Sequence, residues 1–166
     1  MNSNTTKLKK LALCGLMAAF VFVGTQIRVP TAIGYINLGD AVILIGSFIL
    51  GPIAFVPAAI GSALSDLLAG YPQYIIPTFI IKGLMGLIAG VLLRKSEATA
   101  IRKILIGVIA EIIMIAGYFV FESLPFMYGV EAAAGSLFFN MIQGIAAIII
   151  FVPVTYIPAL KKHSVL

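Results

Sequence analysis

The chain has 166 residues, of which 61% are hydrophobic and only 10% are charged, and its formal net charge is +5. A soluble domain carries roughly a quarter charged residues, so this composition excludes an ordinary water-soluble fold. It predicts an all-α integral membrane protein, because only a bilayer accepts so much apolar surface on a chain of this size. We expect a single transmembrane domain over residues 1–166.

The basic residues are sorted along the chain. Nine of the eleven fall in three short clusters separated by long apolar stretches. Lys and Arg are enriched in cytoplasmic loops beside spanning helices, so the pattern predicts that both termini are cytoplasmic. Topology and anionic headgroups account for the charge, which makes membrane lipid, and not nucleic acid, the expected partner. The clusters are Lys7, Lys9 and Lys10; Arg94, Lys95, Arg102 and Lys103; and Lys161 and Lys162.

A spanning helix needs about 20 apolar residues, and the chain predicts a compact bundle of six transmembrane helices. The first is expected to be retained, because no convincing signal-peptide cleavage site precedes Arg28. The second and third are short and are either two spans or one apolar run bent at Gly51-Pro52. Counting them as two places all the basic clusters on one side. The predicted spans cover residues 11–27, 38–50, 55–69, 74–93, 104–121 and 135–156.

Three connections then face outside: residues 28–37, 70–73 and 122–134. Each is rich in polar, aromatic, Gly or Pro residues, whereas the inward turn at Gly51-Pro52 is minimal. We therefore expect a ligand site near the outer face.

Lys82 lies near the middle of the fourth span. A lone ammonium there costs about 2.5–3.5 kcal/mol on insertion scales, so it should face the bundle interior and find a partner. Asp66 and Glu111 are the expected carboxylates. Lys82 belongs either to a structural ion pair or to a ligand site. An internal partner would favour a neutral ligand, and an unpaired Lys82 an anionic one.

Other polar side chains sit near the predicted outer ends of the spans. Asn37 and Asp40 either cap the second span or face a ligand, and Asn37 is the better ligand candidate. Asn140 and Gln143 lie on one helix face and suit either a hydrogen-bonding ligand or interhelical contacts. The full set of candidate substrate-binding residues is Asn37, Asp66, Tyr74, Lys82, Tyr118, Glu122, Asn140 and Gln143.

Small residues line one side of the first span at Ala12, Gly15 and Ala19. Such a strip permits close helix approach. It serves either packing inside the bundle or contact with an external partner helix.

The sequence offers no catalytic set, no nucleotide-binding loop and no paired metal ligands. We therefore expect a protein that is not an enzyme and that carries neither a cofactor nor a metal.

Three motifs resemble one family: NLGD at 37–40, SALSDLLAGYP at 62–72 and TFIIKGLMG at 78–86. Together with six short-looped spans, they resemble the S components of energy-coupling factor (ECF) vitamin transporters, in the riboflavin-type group that includes proposed hydroxymethylpyrimidine and pyridoxine carriers. The resemblance covers nearly the whole chain. It implies a multi-pass protein of the prokaryotic cell membrane.

The resemblance also implies a function. The chain would capture a small water-soluble vitamin or precursor, such as an aromatic heterocycle, at the outer face. A transmembrane coupling (T) subunit and two ATPase subunits would then drive its delivery. The segment GLMAA at 15–19 matches the Ala-x-x-x-Ala signature that contacts the T subunit, with Gly in place of the first Ala. The competing functions are an ion-coupled secondary transporter that relays charge through Asp66, Lys82 and Glu111, and a non-transporting scaffold.

Overall fold

The fold is a bundle of helices with one small β hairpin. A computed structural model describes residues 3–94 and 99–161, so Lys95 and Lys162 of the predicted basic clusters lie outside the described residues. The elements are α1 Ser3–Gln26, β1 Arg28–Pro30, β2 Tyr35–Asn37, α2 Gly39–Leu50, α3 Phe55–Ala69, α4 Ile75–Leu93, α5 Ala100–Glu122, α6 Gly129–Val154 and the short α7 Pro158–Lys161. β1 and β2 pair antiparallel, with Val29 opposite Ile36.

Five segments of the described chain are long and apolar enough to cross a membrane. The count is five because α2, a 3-10 turn at Gly51–Ala54 and α3 form one apolar stretch, Gly39–Ala69. The chain is therefore an all-α membrane protein with five candidate spans.

Within that stretch, α2 and α3 form a helical hairpin. The β hairpin leads directly into the start of α2, and it also reaches the end of α3, where the Tyr35 hydroxyl donates to Asp66. The turn between α2 and α3 packs against the C-terminal part of α4. There, a Cβ on Gly90 would collide with the carbonyl oxygen of Gly51. Only a glycine at position 90 allows this contact. The two helices therefore run in opposite directions.

The ends of the bundle have different chemistry. At the hairpin end lie the β hairpin, the α3–α4 connection and the α5–α6 connection. At the basic end lie the start of α1, the end of α4, the start of α5 and the end of α6. Large apolar side chains such as Ile43, Met85 and Phe151 fill the centre and are almost fully buried.

Three helices begin earlier than the spans that hydropathy predicts. α1 begins at Ser3 and the predicted span at residue 11, α5 begins at Ala100 and the span at residue 104, and α6 begins at Gly129 and the span at residue 135. Hydropathy locates the apolar part of a helix, but a helix continues into polar residues such as Lys7 and Lys9, which have good helix propensity. The predicted outer segment 122–134 is correspondingly reduced to a short connection after α5.

Candidate functional site

A cavity opens at the hairpin end between the β hairpin and helices α1, α3, α4, α5 and α6. Its empty space, with the open solvent at the mouth included, is about 560 Å³. Seven of the eight predicted substrate-binding residues line it, the exception being Gln143. The lining comprises Thr25, Thr31, Ile33, Gly34, Tyr35, Ile36, Asn37, Ser62, Asp66, Tyr71, Tyr74, Thr78, Lys82, Tyr118, Glu122, Ser136, Phe139 and Asn140.

Lys82 forms its ion pair with Asp40 at the floor of this cavity. The prediction of Asp66 or Glu111 as its partner was therefore wrong. Asp40 begins the first turn of α2 and is completely buried, and the Lys82 side chain reaches it from α4. Lys82 Nζ also lies 5.4 Å from the ring centre of Tyr118. Because the ammonium is already paired, it is not a free anion-binding charge.

Gln143 braces three elements instead of lining the cavity. Its amide nitrogen donates to Asp40 Oδ2 at 2.5 Å, and its amide oxygen accepts from the Asn37 backbone N–H at 2.7 Å. The prediction of Gln143 as a cavity-lining residue was wrong, because both ends of its amide are used within the protein. Asn37 in turn bonds the start of α2, since its side-chain oxygen accepts from the Gly39 N–H at 2.8 Å. Asp40 makes no capping hydrogen bond.

Glu122 and Tyr74 form a second polar contact in the cavity wall. The Tyr74 hydroxyl donates to Glu122 Oε1 at 3.0 Å, and the Ser136 hydroxyl donates to Oε2 at 2.5 Å. Tyr74 also lies 3.4 Å from the carbonyl oxygen of Ile33 in the β hairpin. These bonds join the turn before α4, helices α5 and α6 and the β hairpin around the mouth of the cavity.

Asp66 contributes a carboxylate with one partnered and one unpartnered oxygen. Oδ1 accepts a 2.5 Å hydrogen bond from the Tyr35 hydroxyl. Oδ2 is buried and has no hydrogen-bond partner in the described part of the chain, and the same holds for Ser62 Oγ. Burial and the Asp66 charge raise the pKa of Tyr35 above its ordinary value, so Tyr35 stays a donor at physiological pH.

Aromatic rings form a continuous wall on one side of the cavity. The ring centres of Tyr35 and Tyr71 lie 5.5 Å apart, those of Tyr71 and Tyr74 lie 6.1 Å apart, and those of Tyr74 and Tyr118 lie 6.1 Å apart. Phe139 adds a further ring to the lining. Such a wall offers apolar faces to a flat ligand.

Several lining residues were missed by the sequence reasoning. Tyr35 lies within the predicted outer loop, and its hydroxyl was the available signal, since it can reach across to a neighbouring span. Thr78 bonds the Tyr118 hydroxyl at 2.9 Å, with either oxygen able to donate. It stands four residues before Lys82, a spacing that places both on one helix face. Ser136 carries no comparable signal in the sequence.

Glu111 does not line the cavity. It is 3% exposed, it packs against Gly144, and neither carboxyl oxygen has a hydrogen-bond partner in the described residues. Within the described residues no group of three or more His, Cys, Asp or Glu side chains is placed to hold a metal ion.

The small residues of α1 face away from the bundle. Ala12, Gly15 and Ala19 are all exposed, and a Cβ on Gly15 would meet no atom within 4 Å. The packed side of α1 is instead formed by Cys14, Met17 and Val21. The strip therefore does not serve packing inside the bundle.

A polar, aromatic cavity inside a bundle of apolar helices defines a small-molecule-binding membrane protein. Residues 5–162 match the family model described as ECF-type riboflavin transporter, S component. A protein of Pyrococcus woesei, described as an uncharacterized protein in the gap 3′ region, is 33% identical over 141 residues, covering 83% of this chain and 90% of the relative. The chain belongs to the family of ECF transporter S components.

This membership gives the function at the level of the family. The protein is the substrate-binding subunit of an ECF importer and a multi-pass protein of the prokaryotic plasma membrane. S components associate with T and ATPase subunits and bind a small vitamin, and the family is not an enzyme family.

Proposed function

We propose that the cavity at the hairpin end captures a small water-soluble vitamin or precursor, in particular an aromatic heterocycle. The observation that carries the proposal is the cavity wall itself, in which tyrosine rings stand beside polar groups that have no protein partner among the described residues. Rings bind a flat ligand by stacking, and the free polar atoms supply orientation. The ion pair of Lys82 with Asp40 favours a neutral ligand over an anionic one.

The proposed topology has six spans, with the hairpin end outside and both termini in the cytoplasm. The antiparallel course of α2 and α3 supports counting them as two passes. The basic residues at the opposite end support its cytoplasmic location. A cavity that opens outward is the arrangement that capture requires.

The exposed small-residue face of α1 is the proposed contact for the T subunit. Small side chains let a partner helix approach closely, and Gly15 leaves open space for it. Two ATPase subunits would supply the energy of import, since we expect no nucleotide-binding loop in this chain.

The test is ligand-induced thermal stabilisation of the detergent-purified protein. The panel contains riboflavin, named in the family description, with pyridoxine, pyridoxamine, thiamine, biotin and nicotinic acid. A ligand at about 100 times its Kd stabilises the folded state by roughly 2.7 kcal/mol, so one compound should raise the Tm clearly.

Two variants separate binding from folding. Asn140 lines the cavity, so Asn140→Leu should abolish the ligand-induced shift while the Tm without ligand stays close to that of the wild type. Gln143 braces the protein, so Gln143→Leu should lower the Tm without ligand. A flat response to the whole panel from folded protein would contradict the proposed function.

A further inference from the structure

Two unpartnered polar atoms of the cavity lie on the same face of α3. Asp66 and Ser62 are separated by four residues and are therefore neighbours on the helix surface. Asp66 is 6% exposed and Ser62 is 1% exposed, and both line the cavity. Asp66 Oδ2 and Ser62 Oγ have no hydrogen-bond partner in the described part of the chain. A buried acceptor without a donor is costly, so Asp66 Oδ2 marks where a ligand's donor belongs. The Ser62 hydroxyl beside it can accept from the ligand or donate to it.

The charges around the cavity favour a donor with positive character. Its lining contains the carboxylates of Asp66 and Glu122, whereas its one lining cation, among the described residues, is Lys82, which is paired with Asp40. The groups that donate to Glu122 are the neutral hydroxyls of Tyr74 and Ser136. The lining therefore carries negative charge that the lining cation does not balance.

Arg28 is the nearby cation that could change this balance. Its guanidinium lies 5.3 Å from the centre of the Tyr35 ring, and Arg28 is not part of the cavity lining. Its Nη1 is buried without a hydrogen-bond partner in the described residues. Arg28 weakens the negative potential near Asp66 but does not occupy the free carboxylate oxygen.

We propose that the ligand presents a positively charged nitrogen group with at least two N–H donors, such as an amidinium or a protonated amine, to Asp66 Oδ2 and Ser62 Oγ. A neutral ligand hydroxyl can also bond both atoms, by donating to Asp66 Oδ2 and accepting from the Ser62 hydroxyl. It brings no charge to offset the carboxylate, whereas a cationic nitrogen group does. A carboxylate or phosphate at this position would be repelled by Asp66. The inference rests on the proposed function, because it concerns the same cavity.

The test uses two matched pairs of probes. Pyridoxamine differs from pyridoxine by an aminomethyl group in place of a hydroxymethyl group, and benzamidine differs from benzamide by an amidinium in place of an amide. Thermal stabilisation is measured across a concentration series for each compound, so that an apparent Kd is obtained. The nitrogen-rich member of at least one pair should bind at least about tenfold more tightly, which corresponds to about 1.4 kcal/mol.

Four single-residue variants test whether Asp66 and Ser62 cause the preference for the nitrogen-rich probe. Asp66→Asn and Ser62→Ala should each reduce the preference for the nitrogen-rich probe. Glu131→Gln removes an exposed charge at the hairpin end, and Ser123→Ala removes an unpartnered hydroxyl that does not line the cavity, so both controls should keep the preference. Should Asp66→Asn not fold, Ser62→Ala alone carries the test, since it removes only one oxygen.

The outcomes separate the two proposals. Equal or tighter binding of the hydroxyl and amide members, or a preference that persists in Asp66→Asn and Ser62→Ala, overturns this inference and leaves the capture function intact. The inference is also overturned, and the capture function retained, if the tightest ligand of the vitamin panel is one without a positively charged nitrogen group that carries at least two N–H donors. Absence of stabilisation by the probes and by the whole vitamin panel contradicts the proposed function and this inference together.

Discussion

The buried ion pair between Lys82 and Asp40 gives both charged residues a structural role. Lys82 is 3% exposed and Asp40 is fully buried, so each depends on the other for compensation of its charge. Gln143 satisfies the second oxygen of Asp40. The pair is therefore part of what holds α2, α4 and α6 together at the floor of the cavity.

Removing one partner should be much worse than removing both. Lys82→Met leaves a buried, unpaired carboxylate, which costs about 3–5 kcal/mol. The double variant Asp40→Asn/Lys82→Met should recover most of this loss, because an Asn at position 40 still accepts from Gln143. Thermal unfolding in detergent measures both, with Arg94→Met as an exposed control. Equal losses in the single and the double variant would contradict a structural pair.

The sequence predicted that Lys82 needs a buried partner, but not which one. A charge in the middle of an apolar span is costly. The position of Lys82 in the sequence is therefore enough to predict that it needs a partner. The choice among Asp40, Asp66 and Glu111 depends on how far each helix is rotated and shifted relative to α4. The same limit explains why Asn140 and Gln143, on one predicted face, have different roles, since only Gln143 reaches Asn37 and Asp40.

At the scale of helices, α1 has one face that packs and one that is free. The packed face meets α3 at Gly61, where a Cβ would lie 2.5 Å from the Ala18 carbonyl oxygen. The free face carries Gly15, where a Cβ meets no atom within 4 Å. Two glycines on neighbouring helices thus allow the two faces to be tested separately.

Gly15→Leu should leave the Tm and the ligand affinity unchanged but prevent co-purification with the T and ATPase subunits. Gly61→Ala should instead lower the Tm, because overpacking typically costs about 1–3 kcal/mol. Co-purification of the assembled complex and thermal unfolding of the isolated chain check the two expectations. Normal assembly by Gly15→Leu would show that the partner binds elsewhere.

The helices themselves were largely predictable, because apolar stretches of spanning length have few alternative structures in a bilayer. The hairpin formed by residues 28–37 was anticipated only as a polar connection. Its strands are three residues each. Their position depends on hydrogen bonds that Tyr35 and Asn37 make to helices distant in the sequence. Short strands of this kind leave little periodicity in a sequence.

For the molecule as a whole, the antiparallel course of α2 and α3 predicts two membrane crossings, whereas counting the apolar stretch Gly39–Ala69 as one span gives one. If α2 and α3 are two spans, the chain crosses the membrane three times between residue 34 and residue 100. If they form one span, it crosses twice. The two positions then lie on opposite sides or on the same side. The sorting of basic residues favours opposite sides.

Cysteine labelling distinguishes these topologies. In a Cys14→Ala background, Gly34→Cys should react with a membrane-impermeant maleimide in intact cells, and Ala100→Cys should react only after permeabilisation. Both positions accept a side chain, since a Cβ on Gly34 meets no atom within 4 Å and Ala100 is exposed. Labelling of both positions in intact cells, or of neither, would contradict six spans.

We expect this chain to capture its ligand outside the cell and ATPase subunits to drive the delivery. The most direct measurement is uptake of the compound identified in the vitamin panel by proteoliposomes that contain this chain, the T subunit and both ATPase subunits. We predict accumulation that requires ATP, that is lost with hydrolysis-deficient ATPases and that persists when ionophores dissipate the ion gradients. Uptake by the chain alone that collapses with the gradients would contradict the account and establish a secondary transporter.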